Sequence, residues 1–212
     1  MSNTFANLIF IEFLLLPSQK SDVIWMYNSQ LYKSPPPRDY IIDGYISLRK
    51  YRLGDESLLY EGINESIEEL TQWGFYHCGF THEDAVEDVV SRITSWNERK
   101  AFTYLIEQRP GRGFIGNCRI EEIEPDKHRA ALGWWVRTSM TNRGIATAAG
   151  RLVAQAAFED LHLDALSIYT RVENAASRRV AEKIGAVLLS IRFEEDGVYC
   201  AVYELKPEYL IR

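Results

Sequence analysis

Thr138-Ser139-Met140-Thr141-Asn142-Arg143-Gly144 is a polar, glycine-containing turn, and its neighbours on either side suggest a chemistry for it. Before it, Ala130–Val136 is a nearly unbroken apolar run, too short for a typical helix and suited to a buried strand. After it, Ile145, Ala148, Ala149, Leu152, Val153, Ala156 and Ala157 recur at three- and four-residue spacing, which makes one apolar helix face. Strand, turn and helix in that order aim free N–H groups and the positive end of a helix dipole at one point, where an anion such as phosphate binds. Gly144, Ala146 and Thr147 are small enough to let a ligand approach the backbone. The same spacing also fits a plain strand–helix connection. The chain carries no P-loop, zinc-ligand motif or serine-hydrolase elbow, and no metal site is expected. Cys78, Cys118 and Cys200 are odd in number and widely spaced, which argues against a disulfide framework and for a reducing compartment.

The elements that must hold this turn alternate between strand and helix from Tyr45 onward. Tyr45–Arg49 alternates with period two, and Asp55–Ile63 suits a short helix. Ser66 and Glu69 form a capping-box pattern, and Thr81 with Asp84 begins a helix whose apolar positions run from Ala85 to Trp96. Phe102–Glu107 and Phe114–Ile123 read as strands joined through Arg109-Pro110-Gly111-Arg112-Gly113. Ala165–Val172 is a further strand, Ala175–Ile184 a helix stopped by Gly185, and Val187–Phe193 with Val198–Leu205 a hairpin around Glu195-Asp196-Gly197.

With 46% hydrophobic and 25% charged residues, the 212-residue chain has the composition of a globular protein rather than a disordered one. Its net charge of −6 argues against stable nucleic-acid binding, which needs a surplus of Lys and Arg. The Leu8–Leu16 run is far short of the roughly 20 residues that span a bilayer, so no membrane span is expected. Residues 17–44 read as irregular, with Pro35-Pro36-Pro37 favouring an extended linker. The expected organisation is an N-terminal extension over 1–44 and one domain over 45–212.

Several of these features occur together in one family. Leu132-Gly133-Trp134-Trp135-Val136, then Arg143-Gly144-Ile145-Ala146-Thr147, Asn174-x-x-Ser177 and Glu182-Lys183-Ile184-Gly185-Ala186 together resemble the GNAT acyltransferase superfamily. Leu48-Arg49, Leu70-x-x-Trp73 and Phe114-Ile115-Gly116 extend the likeness, most closely towards the Rim-type ribosomal-protein N-terminal acetyltransferases. It covers about residues 45–206. The resemblance implies an α/β fold with a mixed, splayed sheet of about six or seven strands flanked by helices, and acetyl-CoA in the V-shaped opening. The family's Q/R-x-x-G-x-G/A loop falls on Thr141–Ala146, with Thr141 departing from the usual Gln or Arg. By this likeness Asn142, Arg143, Gly144, Ile145, Ala146 and Thr147 cradle the pyrophosphate, and the main chain of Trp135 and Val136 pairs with the pantetheine arm. Asn174 contacts that arm, and Ser177 is the candidate acid for the leaving thiolate. Ala181 stands where other branches carry a tyrosine. Both Asn174 and Ser177 equally suit a helix cap. Arg178 and Arg179 are candidates for CoA phosphates or for an exposed basic helix face.

The resemblance implies transfer of an acetyl group from acetyl-CoA to a primary amine in a ternary complex, in the cytoplasm. The acceptor is a protein N-terminal α-amine, with a small amine (amino sugar, polyamine or amino-acid analogue) as the alternative. A noncatalytic acyl-CoA-binding module is the reading from a different class, and there is room for a homodimer. An amine must lose a proton before it attacks. Glu121, Glu122, Glu194, Glu195 and His128 are candidates for that proton, with Glu121 carried forward as the catalytic carboxylate. Trp73, Tyr76 and Trp96 could wall an acceptor pocket or pack in the core.

Overall fold

The structure is a computed structural model that describes residues 35–211 apart from Arg112, Glu195 and Asp196. The Leu8–Leu16 run, the linker up to residue 34 and the Glu195 candidate therefore lie outside the described residues. Eight strands form one sheet: β1 Tyr40–Asp43, β2 Ile46–Lys50, β3 Phe102–Gln108, β4 Phe114–Glu124, β5 Arg129–Val136, β6 Ala165–Arg171, β7 Val187–Phe193 and β8 Tyr199–Leu205. Five helices flank it: α1 Glu56–Glu65, α2 Ile67–Gln72, α3 His82–Asn97, α4 Ile145–Asp160 and α5 Ala175–Lys183. The strand order is β1-β2-β3-β4-β5-β6-β8-β7, and only β5 and β6 run parallel. A parallel pair needs a crossover, and α4 supplies it.

The sheet has eight strands rather than about six or seven. The additional strand, β1, lies in the stretch read as irregular and pairs antiparallel with β2 from Tyr40↔Arg49 to Asp43↔Ile46. Of its four residues only Ile41 is half-buried, so an edge strand this exposed leaves little period-two pattern to read. Elsewhere the expected elements form, displaced by a residue or two at their ends.

Neighbouring residues on a strand face opposite sides, so the sheet carries two packed faces. Trp134 joins Ile145, Ala149 and Val153 of α4 in one core cluster, together with Ile184. Trp135 joins Leu59 and Ile63 of α1 and Ala85 and Val89 of α3 in the other. Thr81 and Asp84 begin α3 as expected, and they do so through a capping box. The Ser66–Glu69 box does not form. Ser66 precedes α2 without a side-chain cap bond, because its hydroxyl is used elsewhere.

Candidate active site

The opening lies where two ladders diverge. Strand β5 stays paired with β4 as far as Gly116↔Val136, but its pairing with β6 covers only Arg129↔Ala165, Ala130↔Leu166 and Ala131↔Ser167. Strand β6 instead follows β8 out to Arg171↔Cys200. From Leu132 to Val136, β5 therefore has no strand on one side among the described residues, and backbone groups there must find another partner. Gly116 makes its position in β4 possible, since a Cβ there would lie 2.2 Å from the Trp135 carbonyl oxygen.

The turn after β5 then presents donors. Asn142 and Gly144 both take left-handed backbone conformations, with φ of 58° and 76°. Among the described residues no acceptor meets the N–H groups of Asn142 through Thr147, and α4 begins at Gly144 without a side-chain cap. A Cβ at Gly144 would touch no protein atom, so positive φ, not packing, is what favours glycine there. Consecutive unpaired amides on a 16-residue helix make an anion site.

The α1–α2 junction holds this turn in place. The Ser66 hydroxyl accepts from the Thr138 N–H at 3.0 Å, and the Thr138 hydroxyl donates to Glu69 at 2.9 Å. Glu65 accepts from Arg137 Nε at 2.8 Å and from the Ser139 N–H at 3.2 Å. The Arg137 bond, and then the Ser139 one, hold the Glu65 carboxyl below its ordinary pKa. Arg143 is built into the same support. Its carbonyl accepts from the Tyr45 hydroxyl and its guanidinium donates to the Ser139 carbonyl, so its side chain does not line the cleft. Ile145 is likewise in the core, 1% exposed, and has only its backbone to offer.

Two cavities occupy the opening. The larger, about 660 Å³, is lined by Trp135, Val136, the Thr141–Asn142 turn, Gly144–Thr147 and the start of α5. The smaller, about 270 Å³, is lined by Arg119, Glu121, Glu122, Tyr169 and Arg171. Both touch Trp73, Phe75, Trp134, Asn174 and Ser177, so these five mark where the two meet.

Asn174 caps α5 and also faces the cleft. Its Oδ1 accepts from the Ser177 N–H at 3.0 Å, and among the described residues no acceptor meets its Nδ2. Ser177 is half-buried at the junction. Arg178 turns away to donate to the Tyr203 hydroxyl and the Val172 carbonyl, whereas Arg179 lines the larger cavity. Lys183, one turn beyond Arg179, lines it too. In the sequence this lysine stands only as part of the Glu182–Ala186 motif, although four-residue spacing from Arg179 puts both on one helix face.

On the other side, Glu121 sits opposite Ala131 and accepts from Arg119 Nε at 2.6 Å. The Arg119 guanidinium stands 5.8 Å over the Phe75 ring. Glu122 is exposed beside it, in the irregular stretch of β4. His128 lies before the first residue of β5, at the opposite end of that strand from the opening, and neither it nor Glu194 lines either of these two cavities. Of the three aromatics, only Trp73 reaches the cleft. Trp96 packs edge-on against Phe102 and Tyr104, and Tyr76 donates to Asp88. Phe75 is the wall residue the sequence did not reveal, being a lone exposed aromatic outside any periodic stretch.

Comparison with known proteins agrees with this geometry. Residues 46–187 match the family model of the acetyltransferase (GNAT) domain. The chain is 27% identical over 160 residues to the Bacillus subtilis (strain 168) protein named "Putative ribosomal N-acetyltransferase YdaF"; the match covers 74% of this chain and 85% of that protein. The fold is similar to that of the ribosomal-protein-S5-alanine acetyltransferase from Vibrio fischeri, with a TM-score of 0.73 at 14% identity over 82% of this chain and 99% of the other. It is also similar to RimL, a ribosomal L7/L12 α-N-protein acetyltransferase in complex with coenzyme A, with a TM-score of 0.73 at 19% identity over 78% and 96% of the two chains. Splayed strands, an amide-lined helix start and a family match over most of the chain lead to one assignment: the protein belongs to the GNAT acetyltransferase family and takes its acetyl group from acetyl-CoA.

Proposed function

We propose that the chain acetylates the α-amine of a polypeptide N-terminus by direct attack within a ternary complex. The observation that carries this reading is the meeting of two cavities at Trp134, Asn174 and Ser177, one walled by free amides and the other by aromatic and charged side chains. The amides of Asn142–Thr147 receive the pyrophosphate, and the open edge of Leu132–Val136 pairs with the pantetheine arm and polarises the thioester carbonyl. Arg179 and Lys183 supply cations at the rim. The acceptor enters beside Trp73 and Phe75, and its ammonium passes a proton through water to Glu121. The freed nitrogen lone pair attacks the carbonyl carbon. As the C–S bond breaks, Ser177 Oγ gives its proton to the departing sulfur and recovers one from solvent. The names of the similar proteins favour a ribosomal-protein N-terminus as acceptor.

An acceptor panel tests this reading. The full chain and acetyl-CoA are offered peptides with free and blocked N-termini, polyamines and amino sugars, with free thiol and product mass followed together. Free-terminus peptides should release CoA and gain one acetyl group on the α-amine, and blocked peptides should be inert. A higher kcat/KM for a small amine would replace the acceptor. Saturable acetyl-CoA binding without turnover on any member would make the chain a binding module.

A further inference from the structure

A buried polar hub lies behind the thioester strand. Arg92 on α3, with 11% of its side chain exposed, donates to Asp88 from Nε and Nη2 at 2.9 and 2.7 Å. Its Nη2 also donates to the Tyr76 hydroxyl at 2.8 Å, and that hydroxyl donates to Asp88 at 3.0 Å. Asn117, fully buried in β4, completes the hub. With its amide oxygen turned towards the two donors, it accepts from Arg92 Nη1 at 3.1 Å and from Trp135 Nε1 at 2.7 Å. The nitrogen of that amide is then left for Tyr51, whose buried hydroxyl otherwise has no partner.

A largely buried cation and a fully buried amide in a strand are costly unless they are satisfied, and apolar residues of similar volume would pack there without that cost. The geometry gives the hub a use. Asn117 and Trp135 are directly opposed in the β4–β5 ladder, so their bond fixes Trp135 beside the open edge of β5. Tyr76 also meets the Trp135 ring edge-on at 6.3 Å, and it follows Trp73 and Phe75 in the segment that walls the smaller cavity. Arg92 and Asp88 thus reach both walls of the cleft without lining it.

We propose that Asn117, Arg92 and Asp88 are positioning residues that hold Trp135, and through it the β5 edge, in register for the pantetheine arm. This rests on the reading that acetyl-CoA pairs with that edge. The test compares acetyl-CoA binding by calorimetry in the wild-type chain, Asn117→Leu, Asn117→Asp and Leu59→Ala. Leu59 lies in the same core cluster as Trp135 but has no polar atom to join the hub. Displacing one backbone hydrogen bond to the ligand should weaken Asn117→Leu by about 3- to 10-fold. Asn117→Asp keeps an acceptor for both donors and should recover most of that loss. Leu59→Ala should lower Tm while leaving affinity within about twofold. The indole 15N–1H resonance of Trp135, assigned through its loss in Trp135→Phe, should shift and exchange faster in Asn117→Leu only. Equal weakening by Leu59→Ala, or wild-type affinity in Asn117→Leu, would overturn the proposal. No binding by the wild-type chain would remove the cleft reading along with it.

Discussion

At the residue scale, the cleft brings together groups that are individually ordinary. Asn174 is both a helix cap and a cleft residue: its oxygen completes α5 and its nitrogen stays available. Capping and ligand contact were competing readings of the sequence, and the geometry allows both because a carboxamide has two ends. Ser177 stands where the two cavities meet, which gives its proposed role a sharp test. An alkyl thiol such as a cysteine side chain has a pKa of about 8.5, so a departing sulfur takes up a proton near neutral pH and needs one much less at higher pH. Ser177→Ala should therefore lower kcat by about 10²-fold at pH 7, with the deficit narrowing above about pH 9 and the acetyl-CoA KM little changed. A steady-state pH profile checks this, and unchanged turnover throughout would remove Ser177 as the acid.

At the element scale, the turn after β5 depends on helices distant in sequence. Glu65, Ser66 and Glu69 bind Arg137, Thr138 and Ser139, fixing the end of β5 against the α1–α2 junction. The Glu65 carboxyl is held below its ordinary pKa, so its stabilisation is present above the unfolded value near 4.3 and is lost as pH falls through the lower, folded one. With both partners only partly exposed, Glu65→Gln should cost about 1 kcal/mol at pH 7, or about 2–4 °C in Tm. The two proteins should converge in strongly acidic buffer; thermal denaturation at both pH values checks it, and a gap that persists there would show that the loss is not electrostatic. The period-3.6 face of α4 and the apolar run of β5 were legible because each buries a stripe that sequence periodicity records. The Ser66 bond was not, since a capping-box pattern does not say whether its hydroxyl will turn to its own helix or to Thr138. The exposed β1 and the cleft position of Phe75 were hidden because neither leaves a buried periodic stripe, and the turn of the Arg143 side chain back to the Ser139 carbonyl leaves no mark in residue spacing.

At the scale of the whole molecule, function follows from a single topological exception. Among the described residues seven strand pairs hold the sheet, and of these only β5–β6 is parallel and short, so the opening lies beyond its last pair, towards the carboxyl ends of both strands. Ligand sites in open α/β sheets gather at such ends, where a crossover helix also begins. The net charge of −6 neither hinders nor explains an anionic donor. In the proposed reading, local amides together with Arg179 and Lys183 do that work over a few ångströms, a distance at which screening by salt is incomplete. The most direct measurement is a backbone amide NMR titration of the full chain with CoA. The account predicts saturable shifts centred on Asn142–Thr147 and Leu132–Val136, with Arg119–Glu122 little affected. Saturable binding that leaves the Asn142–Thr147 amides unmoved and shifts the Arg119–Glu122 wall would contradict it.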